Sequence, residues 1–555
     1  MPKMSKEPRF VLAFIGSVLV LTYIGGRTYD LTFTNFFLIT CLFSVLLSSL
    51  ILVFLEKHVY NYLVFLALTV AFATGGIYLM GCNPWASIIG DNIVYIRDAM
   101  RLLQGKSMLD TQYGIGLKFM LIPAIALFPG SVTAMKAVVA LTGILFPLFT
   151  FLALRELVPA ERAFIIAVLS GVIPVVVDYS GQVMADLPYS AFFLLALYVT
   201  LRYISLERFS WRWLAGASCA IGWAYHVKAP AMVLMFSAVI YLLLRREVRR
   251  GLLLMGGALV WIVPWLVYLQ VKYPGRIGYF SSMYAQISRG EHMPDSEIGT
   301  FWHNFFYYIF HKNPHDYLNN LKQLFFPFDF PFEGWLVLGL MVLGFVGARR
   351  LEGKGPMAVL RSLEVHDWYV MGYMAMLFTL PGSPLRYLIP VLPFFLLYLF
   401  KGLEIIVGLV RSGALRKGAP LALALAIFIP SFRSDMDIIA FRRSQKGYPG
   451  YWGNYYKVAI WIRDHTPRES RVATRKPTLV WFWSGRESGL YPWTKDVKLA
   501  WRKLKGFDYV IVDDLPFFPE TRKYLIPVIR AYADSFEVVY VTPPPRNYVL
   551  RLKKN

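Results

Sequence analysis

Charge is scarce in this chain, and cysteine scarcer. Of 555 residues only 16% are charged, against about 25% in a soluble globular domain. A compact soluble enzyme is excluded on that ground. The apolar share of 57% excludes a disordered chain as well. Acidic residues are the scarcer sign, 34 against 57 Lys and Arg, for a net charge of +23. In a soluble protein that balance would point to nucleic acid. Here the basic residues gather in loops beside apolar runs, where they orient a membrane chain, so no nucleic-acid partner is expected. There are three cysteines, Cys41, Cys82 and Cys219, and no CxxC pair. Neither a disulfide framework nor a zinc knuckle is therefore expected.

What the chain has is long apolar runs. A bilayer-crossing helix needs roughly 20 apolar residues. Candidate spans fall at 10–26, 34–55, 60–80, 131–154, 161–177, 187–204, 213–226, 229–245, 252–271, 332–348, 367–381, 384–402 and 419–432. The reading is a polytopic α-helical membrane protein with about 13 transmembrane helices. The N-terminal MPKMSKEPRF followed by an apolar run reads as a signal-anchor, since no small-residue cleavage site follows.

The loops RYISLERFSWR (202–212), RREVRR (245–250), ARRLEGKG (348–355) and RSGALRKG (411–418) are basic. They share one side when the spans are threaded in order, with 115–129 taken as surface-lying. That side is expected to be cytoplasmic. A first outer loop (81–130), a long outer loop (272–331) and residues 433–555 then face outward. In the first loop, Ile93, Ile96, Met100 and Leu103 recur at helical spacing ahead of Gly105. A helix over 92–104 is expected to lie on the outer membrane surface. The long outer loop is rich in aromatics (FWHNFFYYIF, FFPFDFPF), as interfacial segments are.

Composition changes near 433. A helix is expected over 454–465, strands at RVAT (471–474) and LVWFW (479–483), and a helix in KDVKLAWRKLK. A strand in DYVIVDD, a helix in PETRKYLIPVIRAYA and a closing strand pair EVVYVT/NYVLRLK follow. This is a small extracytoplasmic α/β domain (433–555) after a transmembrane module (1–432). It carries no nucleotide-binding glycine loop.

Two carboxylates stand at expected outer helix ends. Asp91 opens the first-loop helix, with Tyr95 one turn on, on the same face. Asp186 precedes Leu187-Pro188 at the start of span 187–204, and proline is tolerated in a first helical turn. Either is a good N-cap. Either is also the costly kind of group that membrane proteins keep for function. Lys228 in HVKAP and Arg386 in PGSPLRYLIPVLP lie on the same side. Each is an interfacial anchor or part of a phosphate clamp. A base for an acceptor proton and cations for a leaving phosphate would suit sugar transfer from a lipid phosphate.

These runs resemble the C superfamily of membrane glycosyltransferases (GT-C), in particular relatives of protein O-mannosyltransferases and of the lipid A aminoarabinose transferase. GDNIVYIRDAMRLLQGK is similar to that group's first loop, ADLPYSAFFLLALYVTLRY to its second-loop pattern and LRYLIPVLPFFLLYLFKGLE to its RY-lP-lP helix. YKVAIWIRDHTPRESRVATRKPTLVWFWSGR is similar to a segment of its C-terminal domain. The resemblance implies an inverting transferase using a polyprenyl-phosphate-linked sugar donor and a glycan, lipid or protein acceptor at the cell membrane. It implies Asp91 as catalytic base and Asp186 as second catalytic acid residue. It gives Arg386 and Lys228 to the donor lipid phosphate, and Tyr95 to substrate contact.

One position departs from the protein O-mannosyltransferase pattern. Asn92 follows Asp91 where Asp-Glu is usual, which argues against protein mannosylation. Two additional spans precede the first-loop module. Some relatives bind a metal, but His226, His303, His311 and His315 show no ligand spacing; no metal and no cofactor are expected. The rival readings are a lipid or polysaccharide transporter, an O-antigen ligase or glycan polymerase, and a membrane scaffold. A transporter calls for internal repeats and charges along a central path, and neither is visible in the sequence.

Overall fold

The protein is described from a computed structural model covering residues 74–553, apart from 84, 86–89, 111–112, 274–283, 285, 289–292, 294–296, 326–332, 348–355, 411, 449 and 516–518. The expected spans 10–26 and 34–55, most of 60–80, the signal-anchor and the basic loop 348–355 lie outside the described residues. The chain divides into two compact units. Among the described residues, one comprises 74–82 and 109–440, the other 83–108 and 441–553.

In the first unit a helix falls on every remaining expected span. α2 (Ile115–Leu127) covers the segment expected to be surface-lying; the spans follow as α3 (Val132–Leu154), α4 (Ala160–Val172) with α5 (Pro174–Ser180), α6 (Asp186–Ser205), α7 (Trp211–Val227), α8 (Ala231–Leu244) and α9 (Val248–Lys272). The helices α10 (Phe301–Tyr307) and α11 (Asn313–Phe325) follow. Then come α12 (Glu333–Gly347), α13 (Pro356–Ser362), α14 (Val365–Phe378), α15 (Leu392–Gly408) and α16 (Gly413–Ser444), the last crossing into the second unit. The helix before them, α1 (Asp91–Leu103), belongs to the second unit. By length and composition α3, α6 and α9 can each cross a bilayer. So can α4 and α5 taken together, although they are bent by 57°. The bend has a local cause. Ile173 is extended (φ −70°, ψ 133°), as the residue before a proline prefers, and Pro174 restarts the helix as α5.

Prolines also remodel the expected span 384–402. Pro384 and Pro390 leave a short 3₁₀ turn over Leu385–Leu388, and α15 starts only at Leu392, with Pro393 in its first turn. Apolar side chains interlock the helices: α3 packs on α6, α6 on α7, and α7 on α9. α12 and α15 approach most closely where Gly344 faces Gly402. A Cβ on Gly344 would overlap the Tyr398 carbonyl, and one on Gly402 the Leu340 carbonyl. Small residues are what permit such backbone contact between membrane helices.

The second unit holds a five-stranded mixed sheet of order β2-β1-β3-β5-β4. Its elements after α1 are α17 (Gly450–His465), β1 (Arg471–Thr474), α18 (Pro477–Ser484), β2 (Glu487–Leu490), α19 (Val497–Leu504), β3 (Tyr509–Val512), α20 (Ile526–Ala531), β4 (Phe536–Val541) and β5 (Tyr548–Leu552). β1 runs parallel to β2 and β3, while β5 is antiparallel to β3 and β4. Val510 pairs with Leu550, and both join Ala473, Leu504 and Leu525 in the core.

One expectation fails here. Residues 479–483 are not a strand but the middle of α18. A short continuous apolar run does not distinguish the two states. Pro477 in the first turn and Gly485 in the left-handed region (φ 68°) bracket a helix. The edge strand β2 was not expected.

Candidate active site

Asp186 is the first residue of α6. It is not a cap: Ala185 holds the N-cap position, and no side-chain hydrogen bond closes the turn. The carboxylate is 4% exposed and meets two cations instead. Lys228 Nζ donates to its Oδ1 at 2.6 Å, and Arg386 Nε lies 3.8 Å from its Oδ2. Three of the residues singled out in the sequence thus form one cluster, built from α6, the C-terminal cap of α7 and the 3₁₀ turn before α15.

Aromatic rings position the cations. The Lys228 ammonium sits 4.6 Å from the Tyr387 ring centroid. The Arg386 guanidinium lies 5.4 Å from that ring and 5.9 Å from Tyr179. These are cation–π distances. Both cationic side chains keep 21% exposure, so an anion can reach them. Tyr373 donates its hydroxyl to the Tyr387 carbonyl at 3.0 Å and fixes the turn.

Beneath this cluster the chain is tightly packed. A Cβ on Gly114 would overlap the His226 and Val227 carbonyls beside Lys228. Lys118, fully buried on α2, donates to the Asp110 carbonyl at 2.8 Å.

Asp91 and Tyr95 belong to the other unit. α1 packs against α18. Its entry is fixed by Asn83, which donates to the Arg442 and Gln445 carbonyls at 2.8 and 3.1 Å. Trp85 adds edge-on contacts to Tyr448 and Tyr456. Gly90, at φ 65°, holds the N-cap position without a side-chain cap, so Asp91 is not the cap either. Tyr95 is 3% exposed and forms part of the buried face of α1 with Ile93, Val94 and Ile96.

Asp91 lies close enough to Lys476, at the N-cap of α18, to act on its charge. Burial and neighbouring Arg475 push the Lys476 ammonium below its usual range, while Asp91, Glu520 and Asp513 partly restore it. Burial raises Asp513, against the Thr521 hydroxyl that donates to it at 3.1 Å.

Sequence reasoning missed Tyr179, Tyr387 and Lys476. Tyr387 was adjacent to Arg386, and Tyr179 shared the loop of Asp186. Lys476 carries no signal of its own, because only the fold of the α/β domain brings it to Asp91.

Among the described residues no three His, Cys, Asp or Glu side chains gather as a metal site.

The family model for dolichyl-phosphate-mannose-protein mannosyltransferase matches residues 113–268, which carry Asp186 and Lys228. The oligosaccharyltransferase of Archaeoglobus fulgidus, solved with a tethered acceptor peptide containing the NVT sequon, superposes with a TM-score of 0.55 at 12% identity. The match covers 88% of this chain and 74% of that one. ArnT from Cupriavidus metallidurans bound to undecaprenyl phosphate gives 0.55 at 13% identity, over 87% of this chain and 97% of that one. The chain shares its fold with both of these structures. The likeness read in the sequence is borne out at that level. The A. fulgidus enzyme AglB, solved with an inhibitory peptide and a dolichol-phosphate, matches at 13% identity with a TM-score of 0.52, over 87% of this chain and 74% of that one. No curated protein matches this chain by sequence.

Proposed function

We propose that the protein is an integral-membrane, inverting glycosyltransferase. It moves a sugar from a polyprenyl-phosphate-linked donor to a hydroxyl of a glycan, lipid or protein. The reaction takes place on the outer face of the cell membrane, where the C-terminal domain also lies. The observation that carries this reading is the gathering of Lys228 and Arg386 on Asp186. Two partly exposed cations on ring platforms form an anion seat, and the intervening carboxylate sets their spacing. The fold's occurrence in ArnT with undecaprenyl phosphate and in AglB with dolichol-phosphate supports a lipid phosphate as that anion.

Asp91 is the base. Its carboxylate takes the acceptor hydroxyl proton as the acceptor oxygen bonds to the anomeric carbon. The bond from that carbon to the phosphate oxygen breaks, and the lipid phosphate leaves with the electron pair. A phosphate is a weak base and leaves without a proton, but it needs positive charge as the bond breaks. Lys228 supplies a point charge and Arg386 a planar fork for it. A single displacement inverts the anomeric centre.

Native mass spectrometry of the detergent-purified protein tests the reading. It is incubated with undecaprenyl and dolichyl phosphates and their sugar derivatives. Wild type should retain a polyprenyl phosphate, and a Lys228→Met/Arg386→Gln variant should lose it. Retention of ordinary phospholipid alone by wild type would refute the proposal.

A further inference from the structure

Arg386 sits on a turn rich in proline and glycine, PGSPLR (381–386). Such a turn has little secondary structure to hold it. What holds it comes from α11, in the long outer loop. Asp316 Oδ2 accepts from the Ser383 hydroxyl at 2.6 Å. Asn320 donates to the Ser383 carbonyl at 2.7 Å. Asn313, fully buried, donates to the Phe378 and Leu380 carbonyls, each at 2.7 Å. Three side chains on successive turns of one helix therefore grip the segment that leads into Arg386.

The Asp316 carboxylate is itself braced by Lys312, whose Nζ donates to Oδ2 at 2.6 Å. His315 Nδ1 lies 3.9 Å from Oδ1. Burial raises the Asp316 acid, but the bonds from Lys312 and Ser383 outweigh it and hold the carboxylate below its usual range. It is thus ionised, and a strong acceptor, at neutral pH.

We infer that Asp316 is a positioning residue for Arg386: through Ser383 it fixes the turn that aims the guanidinium at the anion seat. This rests on the reading of Arg386 as a lipid-phosphate contact. Small displacements of a positioned charge cost binding out of proportion to their size. The long outer loop therefore controls donor affinity without touching the donor.

The test is a thermodynamic cycle on the full-length protein in detergent, titrated with undecaprenyl phosphate. Arg386→Gln is expected to weaken binding by about tenfold. Asp316→Ala should weaken it by about three- to tenfold, and Ser383→Ala, which removes only the donor hydroxyl, by a similar factor. In the Arg386→Gln background, Asp316→Ala should add nothing, because there is no guanidinium left to aim. Wild-type affinity in Asp316→Ala and Ser383→Ala would overturn the inference, as would independent, multiplying losses in the double variant. Should Asp316→Ala fail to fold, Ser383→Ala carries the same comparison. If Arg386→Gln itself binds as wild type, the phosphate assignment of Arg386 is what fails.

Discussion

Asp186→Asn is expected to tighten the hold on a lipid phosphate, although it removes a candidate active-site residue. Two positive side chains lie within 3.8 Å of the Asp186 carboxylate. The substitution raises the net charge there by one. Asparagine keeps an oxygen to accept from Lys228, so the lysine has little reason to leave. A phosphate monoester carries about −1.5 to −2 charges at neutral pH. One repelling charge at roughly 4–6 Å, at an effective dielectric near 20, is worth about 3–4 kcal/mol per unit charge. Lys228 and Arg386 are each 21% exposed, and water reaching them reduces this to about 1–3 kcal/mol. Undecaprenyl phosphate should then bind about five- to a hundredfold more tightly. Tryptophan fluorescence titration of the purified protein would read the change. Asp186→Ala is the control, because it removes the oxygen that accepts from Lys228 and should lower the unfolding midpoint. Unchanged or weaker binding in a folded Asp186→Asn variant would refute the argument. The phosphate would then not sit at this pair, or the carboxylate would be needed to place it.

Other expectations follow from single contacts. Asp91→Asn should lower sugar transfer by about 10²–10⁴-fold, the usual worth of a general base, with an unchanged unfolding midpoint; a lipid-linked-sugar transfer assay on both proteins decides it. Gly114→Ala should destabilise the first unit by about 1–3 kcal/mol, since its Cβ meets the His226 and Val227 carbonyls; wild-type thermal stability would show that the segment can move aside. Burial raises the Asp513 acid, so the folded state favours its protonated form. Its contribution to stability is present below about pH 4 and is lost as pH rises through the raised value. Asp513→Asn should remove that slope and leave the protein more stable than wild type at pH 8, read as melting temperature against pH.

The helical frame was legible because its cause is local. Apolar runs with basic ends dictate helices wherever they occur, and α3, α6 and α9 sit within a few residues of the expected spans. The breaks were harder to read. Pro174 and Pro390 were visible, but whether a proline kinks a helix or ends it depends on what packs beside it. In the C-terminal domain LVWFW was misread as a strand, because a continuous apolar run has no period to distinguish helix from strand.

The site divides along the same line. Asp91, Asp186, Lys228 and Arg386 were recognisable as charged residues at helix ends in a chain that has few of them. Their partners were not. An N-cap and an ion pair look identical in one dimension, and only packing turned Asp186 toward Lys228 and Arg386 rather than toward its own helix. Tyr95, one turn from Asp91, was expected to meet substrate, and it is 3% exposed on the buried face of α1. The sequence by itself determined the helical class, most of the described helix positions and the kind of chemistry its scarce charges can support. The tertiary structure alone decided which charges meet, because contacts between residues some 40 to 200 positions apart depend on helix packing that no local pattern encodes.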